Sequence, residues 1–166
     1  MKALVAYYSR TGTTDRVARM IKDALEARGV DVTLKRIVPT RELGPLGCVW
    51  SARRRAKPVL LNPETDVGPY DLVFIGFPIW AMRPAPAVNS FIFGLKKCGG
   101  KTCAPFATFE AGWGAQDSLK RVAGQLERAG GKVVAAGAFE ARRLREPAEA
   151  ERLVSEFISA ALRGGA

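Results

Sequence analysis

Residues 7–21 read YYSRTGTTDRVARMI. The stretch begins as the end of an apolar run, Ala3 to Tyr8, and finishes as an amphipathic helix. Val17, Ile21, Ala24, Leu25 and Arg28 follow at helical spacing, and Gly29 is the expected stop. A run that is apolar at every position fits a strand covered on both faces. Between strand and helix lies Ser9-Arg10-Thr11-Gly12-Thr13-Thr14, a corner with four hydroxyls, one glycine and no acid. One hydroxyl is enough to cap a helix. Such a surplus suits a bound anion.

The same alternation continues outward from this corner. Val30 to Ile37 alternates in strand fashion, and Leu72 to Phe77 is a second fully apolar strand. Val88, Phe91, Ile92 and Leu95 mark a helix entered through Pro84 and Pro86 and ended by Gly99 and Gly100. Thr102 to Thr108 is strand-like; Leu119, Val122, Ala123 and Leu126 form a helix stripe ended by Gly130 and Gly131. Val133 to Phe139 is the fifth strand, and a last helix opens near Pro147 with Leu153, Val154, Phe157, Ile158, Ala161 and Leu162 on its apolar side. Five apolar strands alternating with helices specify an α/β fold, a parallel sheet wrapped on both faces. Arg41 to Asp66 breaks the rhythm with two glycines and three prolines before Asp66, and a short helix is expected around Leu46 to Ala56. No repeat or linker divides the chain, so residues 1–166 read as one domain.

Composition narrows the chemistry. There is no histidine, which excludes Ser-His-Asp and Cys-His catalysis and the common His-containing zinc sites. Cys48, Cys98 and Cys103 lack metal-ligand spacing and read as reduced thiols whose role is packing. No metal site is expected, and no side chain is assigned a catalytic role; a cofactor is expected to carry any hard chemistry. The longest apolar run, Leu72 to Trp80, is too short to span a bilayer, and the start of the chain has no cleavage site. A cytoplasmic location is the expectation. The formal charge of +10 includes the runs Arg53, Arg54, Arg55 with Lys57, and Arg142, Arg143 with Arg145. Neither run has interleaved aromatics for stacking bases, so solvated surface is favoured over nucleic-acid binding.

In a doubly wound sheet, ligands bind beyond the carboxyl ends of the strands, where the corner after the first strand lies. Ser9, Thr11, Thr13 and Thr14 offer hydroxyls, Gly12 allows close backbone approach, and the free amides of the following helix point the same way. The Arg10 amide belongs to this nest, while its side chain points to solvent. The corner lacks the G-x-G-x-x-G fingerprint of a nicotinamide site. Gly100-Lys101-Thr102 is not a P-loop, because Leu95 stands where the leading glycine belongs and the triplet precedes a strand.

Ser9-Arg10-Thr11-Gly12-Thr13-Thr14 resembles the FMN phosphate loop of the flavodoxin family. Gly76-Phe77-Pro78-Ile79-Trp80-Ala81-Met82-Arg83-Pro84 resembles that family's G-x-P-x-W loop beside the isoalloxazine ring. Thr108-Phe109-Glu110-Ala111-Gly112-Trp113-Gly114 falls where the family has its second ring-contacting loop. The resemblance covers nearly the whole chain. It implies a three-layer sandwich whose five-stranded parallel sheet runs in the order 2-1-3-4-5. It also implies FMN as a non-covalent cofactor, with Pro78, Ile79, Trp80, Ala81, Thr108, Phe109, Glu110, Gly112 and Trp113 around the ring. Trp80 is expected to flank the flavin; Trp113 either does so or belongs to the core. Ala81, Phe109 and Gly112 are expected to act through main-chain atoms, and Glu110 either accepts from the ring N3–H or faces water. The family often has a glycine near Met82, where a peptide can flip at little strain toward reduced flavin N5.

The resemblance leaves the role divided. A flavodoxin-like electron carrier needs a redox partner protein and an exposed flavin edge. An NAD(P)H-dependent reductase needs a pocket for a quinone or another small acceptor, roofed by Arg41 to Asp66. A module that has lost its flavin is a third reading, and a homodimer is compatible with each. Flavodoxins that shuttle electrons are generally acidic, whereas this chain is basic. At an effective dielectric of about 20, one positive charge ~10 Å from the ring favours the reduced anion by about 1.7 kcal/mol before salt screening. That corresponds to roughly 70 mV upward for one electron. A flavoprotein of moderate potential is therefore expected.

Overall fold

The computed structural model describes residues 1–41, 58–62, 64–110 and 114–165. The helix expected at Leu46 to Ala56 lies outside them, as do Cys48, the Arg53 to Lys57 run, Gly112 and Trp113. Among the described residues the chain forms β1 (Lys2–Tyr7), α1 (Thr13–Glu26), β2 (Asp31–Arg36), β3 (Leu72–Trp80) and β4 (Arg83–Pro84). It continues with α2 (Pro86–Phe93), β5 (Thr102–Phe109), α3 (Ala115–Arg128), β6 (Lys132–Val133), β7 (Gly137–Glu140) and α4 (Pro147–Gly164).

The strands lie in the order β2-β1-β3-β5-β6, with β7 also on β5 and every neighbour on this path parallel. This is the expected 2-1-3-4-5 order, with the fifth strand in two pieces. The break has a local cause. Lys101, Cys103 and Phe109 carbonyls accept from Lys132, Val134 and Ala141 amides, so odd-numbered residues of β5 face the last strand. Pro105 is one of these and has no N–H to give. The register slips there by one residue, from Cys103↔Val133 to Phe106↔Gly137, which is a bulge opposite the proline.

Because strand side chains alternate, the sheet divides the core in two. Ala3, Val5, Tyr7, Phe74 and Phe106 point to one side, against Val17, Ile21 and Leu25 of α1 and Val154, Phe157 and Ile158 of α4. Leu4, Ala6, Val73, Ile75 and Phe77 point to the other, against Val88 and Phe91 of α2 and Leu119, Val122 and Leu126 of α3. Helical spacing in the sequence therefore becomes two covering layers. Among the described residues no helix is long and apolar enough to cross a membrane, and no cluster of acidic and sulfur side chains could hold a metal.

The centre of the sheet is packed without slack. A Cβ on Gly76 of β3 would come within 2.2 Å of the Phe106 ring on β5, which is fully buried. Overpacking at such a site costs about 1–3 kcal/mol. Gly76→Ala should lower the denaturation midpoint by an amount in that range, whereas Gly99→Ala, with open space around its Cβ, should leave it nearly unchanged. Equal effects from the two substitutions would contradict this packing.

Candidate functional site

β1 lies between β2 and β3, so its end and those of β3 and β5 share one edge of the sheet. The corner Ser9–Thr14 leaves that edge and turns into α1. Gly12 makes the turn at φ 96°, a left-handed conformation that L side chains seldom adopt, and a Cβ there would meet nothing within 4 Å. No side chain among the described residues caps α1. Its first amides thus remain available at the positive end of the helix dipole.

The hydroxyls divide their work. Ser9 is buried, and its Oγ accepts from the Gly12 amide at 3.1 Å, leaving its own hydrogen to donate. Thr14 is buried too, and its hydroxyl pairs with that of Thr108 at 2.7 Å, which ties the corner to the end of β5. Whichever of these two donates, the other keeps a hydrogen for a further acceptor. Arg10, Thr11 and Gly12 are exposed, and Thr13 is half-buried.

Two charged groups at the corner were not read from the sequence. Arg36 ends β2 opposite Tyr7 in the register, and its guanidinium donates to the Ser9 carbonyl at 3.0 Å. The strand order alone would have found it, since it puts the last residue of β2 beside the corner. Asp15, in the first turn of α1, is bound by the Tyr7 hydroxyl and by Arg19 at 2.8 Å. The hydrogen bonds from Arg19 and Tyr7 hold its carboxyl below the usual carboxylate range. Burial, then the bond to Asp15 and its charge, push the Tyr7 phenol up to about 12.

The stretch after β3 is a hairpin and not the expected free loop. β3 runs on to Trp80 and folds back through Ala81 and Met82 into β4, with Trp80 opposite Arg83. Even-numbered β3 residues face β1, because the Gly76 carbonyl accepts from the Tyr8 amide. Pro78 therefore directs its missing N–H where β1 has already ended, and its carbonyl accepts from Ala85 at 3.2 Å. Ala81 and Met82 have φ of 47° and 63°, the two left-handed residues of a type I′ turn, with neither being the usual Asn or Gly. The buried Ser118 hydroxyl donates to the Met82 carbonyl at 3.2 Å, and a Cβ on Gly114 would stand 3.0 Å from Met82 Cα. The hairpin is thus seated on the start of α3.

Pro78, Ile79 and Trp80 are half-buried, and Ala81 and Met82 exposed. Trp80 meets Tyr8 edge to face, with ring centres 5.4 Å apart and planes at 86°. Thr108 is buried at the end of β5, with Phe109 half-buried and Glu110 exposed beyond it. Every expected site residue that is described therefore gathers at one sheet edge, on three strands distant in sequence.

The family model for flavodoxin matches residues 2–146. This chain belongs to the flavodoxin family. A candidate flavoprotein from Bacteroides uniformis shares its fold at a TM-score of 0.73 and 26% identity, over 95% of this chain and 97% of that one. A flavoprotein from Lactobacillus acidophilus, solved in complex with FMN, aligns at a TM-score of 0.67 and 22% identity over 87% and 96%. The two-electron reduced flavodoxin of Megasphaera elsdenii aligns at 0.65 and 21% over 98% and 99%. No curated protein matches the sequence.

Tyr7 offers a test of the bonds around the corner. Its folded pKa lies above the ordinary value of 10.0, so its contribution to stability is complete below pH 10 and is lost as pH rises toward about 12. Denaturant titrations at several pH values across this window should show a steeper alkaline loss in the native chain than in Tyr7→Phe. Identical slopes would mean that the Tyr7–Asp15 bond adds nothing.

Proposed function

We propose that this chain binds FMN non-covalently at the common edge of β1, β3 and β5 and passes electrons through it to a redox partner. The observation that carries this reading is the uncapped amino end of α1, turned through Gly12 in a left-handed conformation beside the Ser9 hydroxyl. Such an end is a ready anion site. Thr11, Thr13 and Thr14 would give main-chain amides to the phosphate, with hydroxyls from Ser9 and Thr13. Arg36 holds the Ser9 carbonyl from behind and adds positive charge at the corner. Asp15 is held by Tyr7 and Arg19, which keeps its charge engaged with partners of its own.

The hairpin at Trp80 and the segment after Thr108 would hold the ring, Trp80 by its half-buried indole and Ala81, Phe109 and Glu110 by atoms at the sheet edge. Gly112 and Trp113 continue that second segment in sequence. When bound, the flavin supplies the electron or hydride transfer. The chain's own residues bind it, orient it and set its electrostatic surroundings.

A second reading, an NAD(P)H-dependent reductase of quinones or similar small acceptors, is favoured by the formal charge of +10. A basic protein draws phosphorylated nucleotides and disfavours a very low potential. Oxidation of NADPH in the presence of a quinone by the flavin-loaded protein supports the reductase. Inertness toward both nicotinamides supports the carrier.

Fluorescence titration of the flavin tests the common foundation. FMN should bind at least tenfold more tightly than riboflavin, on the order of 1.4 kcal/mol or more for the phosphate. Gly12→Val, which forces a branched side chain to φ 96°, should erase most of that difference while sparing riboflavin. Equal affinities for the two flavins would remove the corner from the site.

A further inference from the structure

Cys98 and Cys103 are buried free thiols near the amino end of β5, at the edge of the sheet opposite the flavin corner. The chain turns between them. The Lys101 amide donates to the Cys98 carbonyl at 3.0 Å, and β5 then carries Cys103 back under the turn. A Cβ on Gly131 would stand 2.7 Å from Cys103 Sγ and 3.2 Å from Cys98 Sγ. Both sulfurs therefore border the same hollow, the one left by a missing side chain. Cys103 Sγ also reaches the Lys101 carbonyl at 3.6 Å.

Two glycine turns adjoin this hollow in the chain, one after Cys98 and one before Gly131. The Gly100 amide donates to the Gly130 carbonyl at 2.9 Å, and a Cβ on Gly130 would stand 3.1 Å from Gly99 Cα. The two turns thus meet main chain to main chain, and Gly99, Gly100 and Gly130 are all exposed. Cys98 and Cys103 are 2% and 0% exposed, so a small oxidant reaches them through local opening of these turns.

We propose that Cys98 and Cys103 form a reversible thiol–disulfide centre, oxidised by hydroperoxides and reduced by small thiols. The Cys98 thiolate attacks one oxygen of the peroxide, forming a sulfenic acid and releasing hydroxide, or alcohol from an organic peroxide. Cys103 sulfur then attacks the Cys98 sulfur; the S–S bond forms, the sulfenic oxygen leaves as water, and the thiol proton goes with it. Two thiols lose two electrons, and the peroxide gains them. Reduction by two equivalents of a small thiol restores both cysteines by exchange.

The division of roles follows from the pair's chemistry. The adjacent Cys103 side chain lowers the Cys98 pKa against the opposing effect of burial, and the Lys101 charge helps. Its neighbour Cys98, together with burial, raises that of Cys103. Cys98 is thus the attacking thiolate and Cys103 the resolving thiol.

The native chain, treated with hydrogen peroxide in modest excess and then denatured, tests this directly. Titration of the denatured chain should find one thiol in place of the three cysteines of the sequence, and the intact mass should fall by two hydrogens. Peptide mapping should recover a Cys98–Cys103 cross-link that small thiols reverse, and the Cys48→Ser chain should still form it. In Cys103→Ser the Cys98 sulfenic acid should persist and be trapped by dimedone. Three remaining thiols, a cross-link through Cys48, or over-oxidation of Cys98 beside an untouched Cys103 would overturn the proposal. The mapping of the native chain decides the matter even where a substituted chain fails to fold.

Discussion

Among the described residues no side chain caps the amides at the start of α1, and the rest of the site is arranged around that fact. A helix leaves its first N–H groups unbonded, and a side-chain cap commonly meets one of them. Here Gly12 stands in the capping place and offers no side chain. The nearest hydroxyl, Ser9, turns back to the Gly12 amide itself. The demand stays open on the outer side of the corner, at the end of a strand held between two others in the sheet. An anion with several oxygens meets such a demand better than water does, because the donors are fixed before it arrives.

The surroundings keep that corner rigid. Thr14 and Thr108 join β1's exit to β5's end, Arg36 clamps the Ser9 carbonyl from β2, and Tyr7 and Arg19 pin Asp15 in the first turn of α1. On the next strand the hairpin at Ala81 and Met82 holds two non-glycine residues in left-handed conformations, each of which costs on the order of 1–2 kcal/mol. The bond from Ser118 and the contact with Gly114 offset that cost locally. A hairpin kept in such a shape by its neighbours has the character of a shaped wall beside a ligand.

Much of this was legible in the residues, because the pattern and the punctuation agreed. The apolar runs at Ala3 to Tyr8 and Leu72 to Phe77 marked strands buried on both faces. Gly29 and Pro147 bounded helices close to where they stop and start. What escaped was set by pairing across the sheet. Pro105 splits the last strand only because its missing N–H faces that strand. Pro78 is harmless within β3 only because β1 has ended beside it. Arg36 reaches the corner through register, and Thr14 turns inward to a residue 94 positions away. Neither relation leaves a local mark in the sequence. Cys98 and Cys103 read as packing thiols for the same reason: their neighbourhood depends on Gly131, brought in by the far end of α3.

A crystal structure of the chain grown with FMN bears most directly on the central claim. The phosphate should lie against the amides of Thr11, Thr13 and Thr14, within hydrogen-bond distance of the Ser9 hydroxyl, with the ring beside Trp80. A flavin bound with its phosphate elsewhere, while water alone fills the turn at Gly12, would contradict the account.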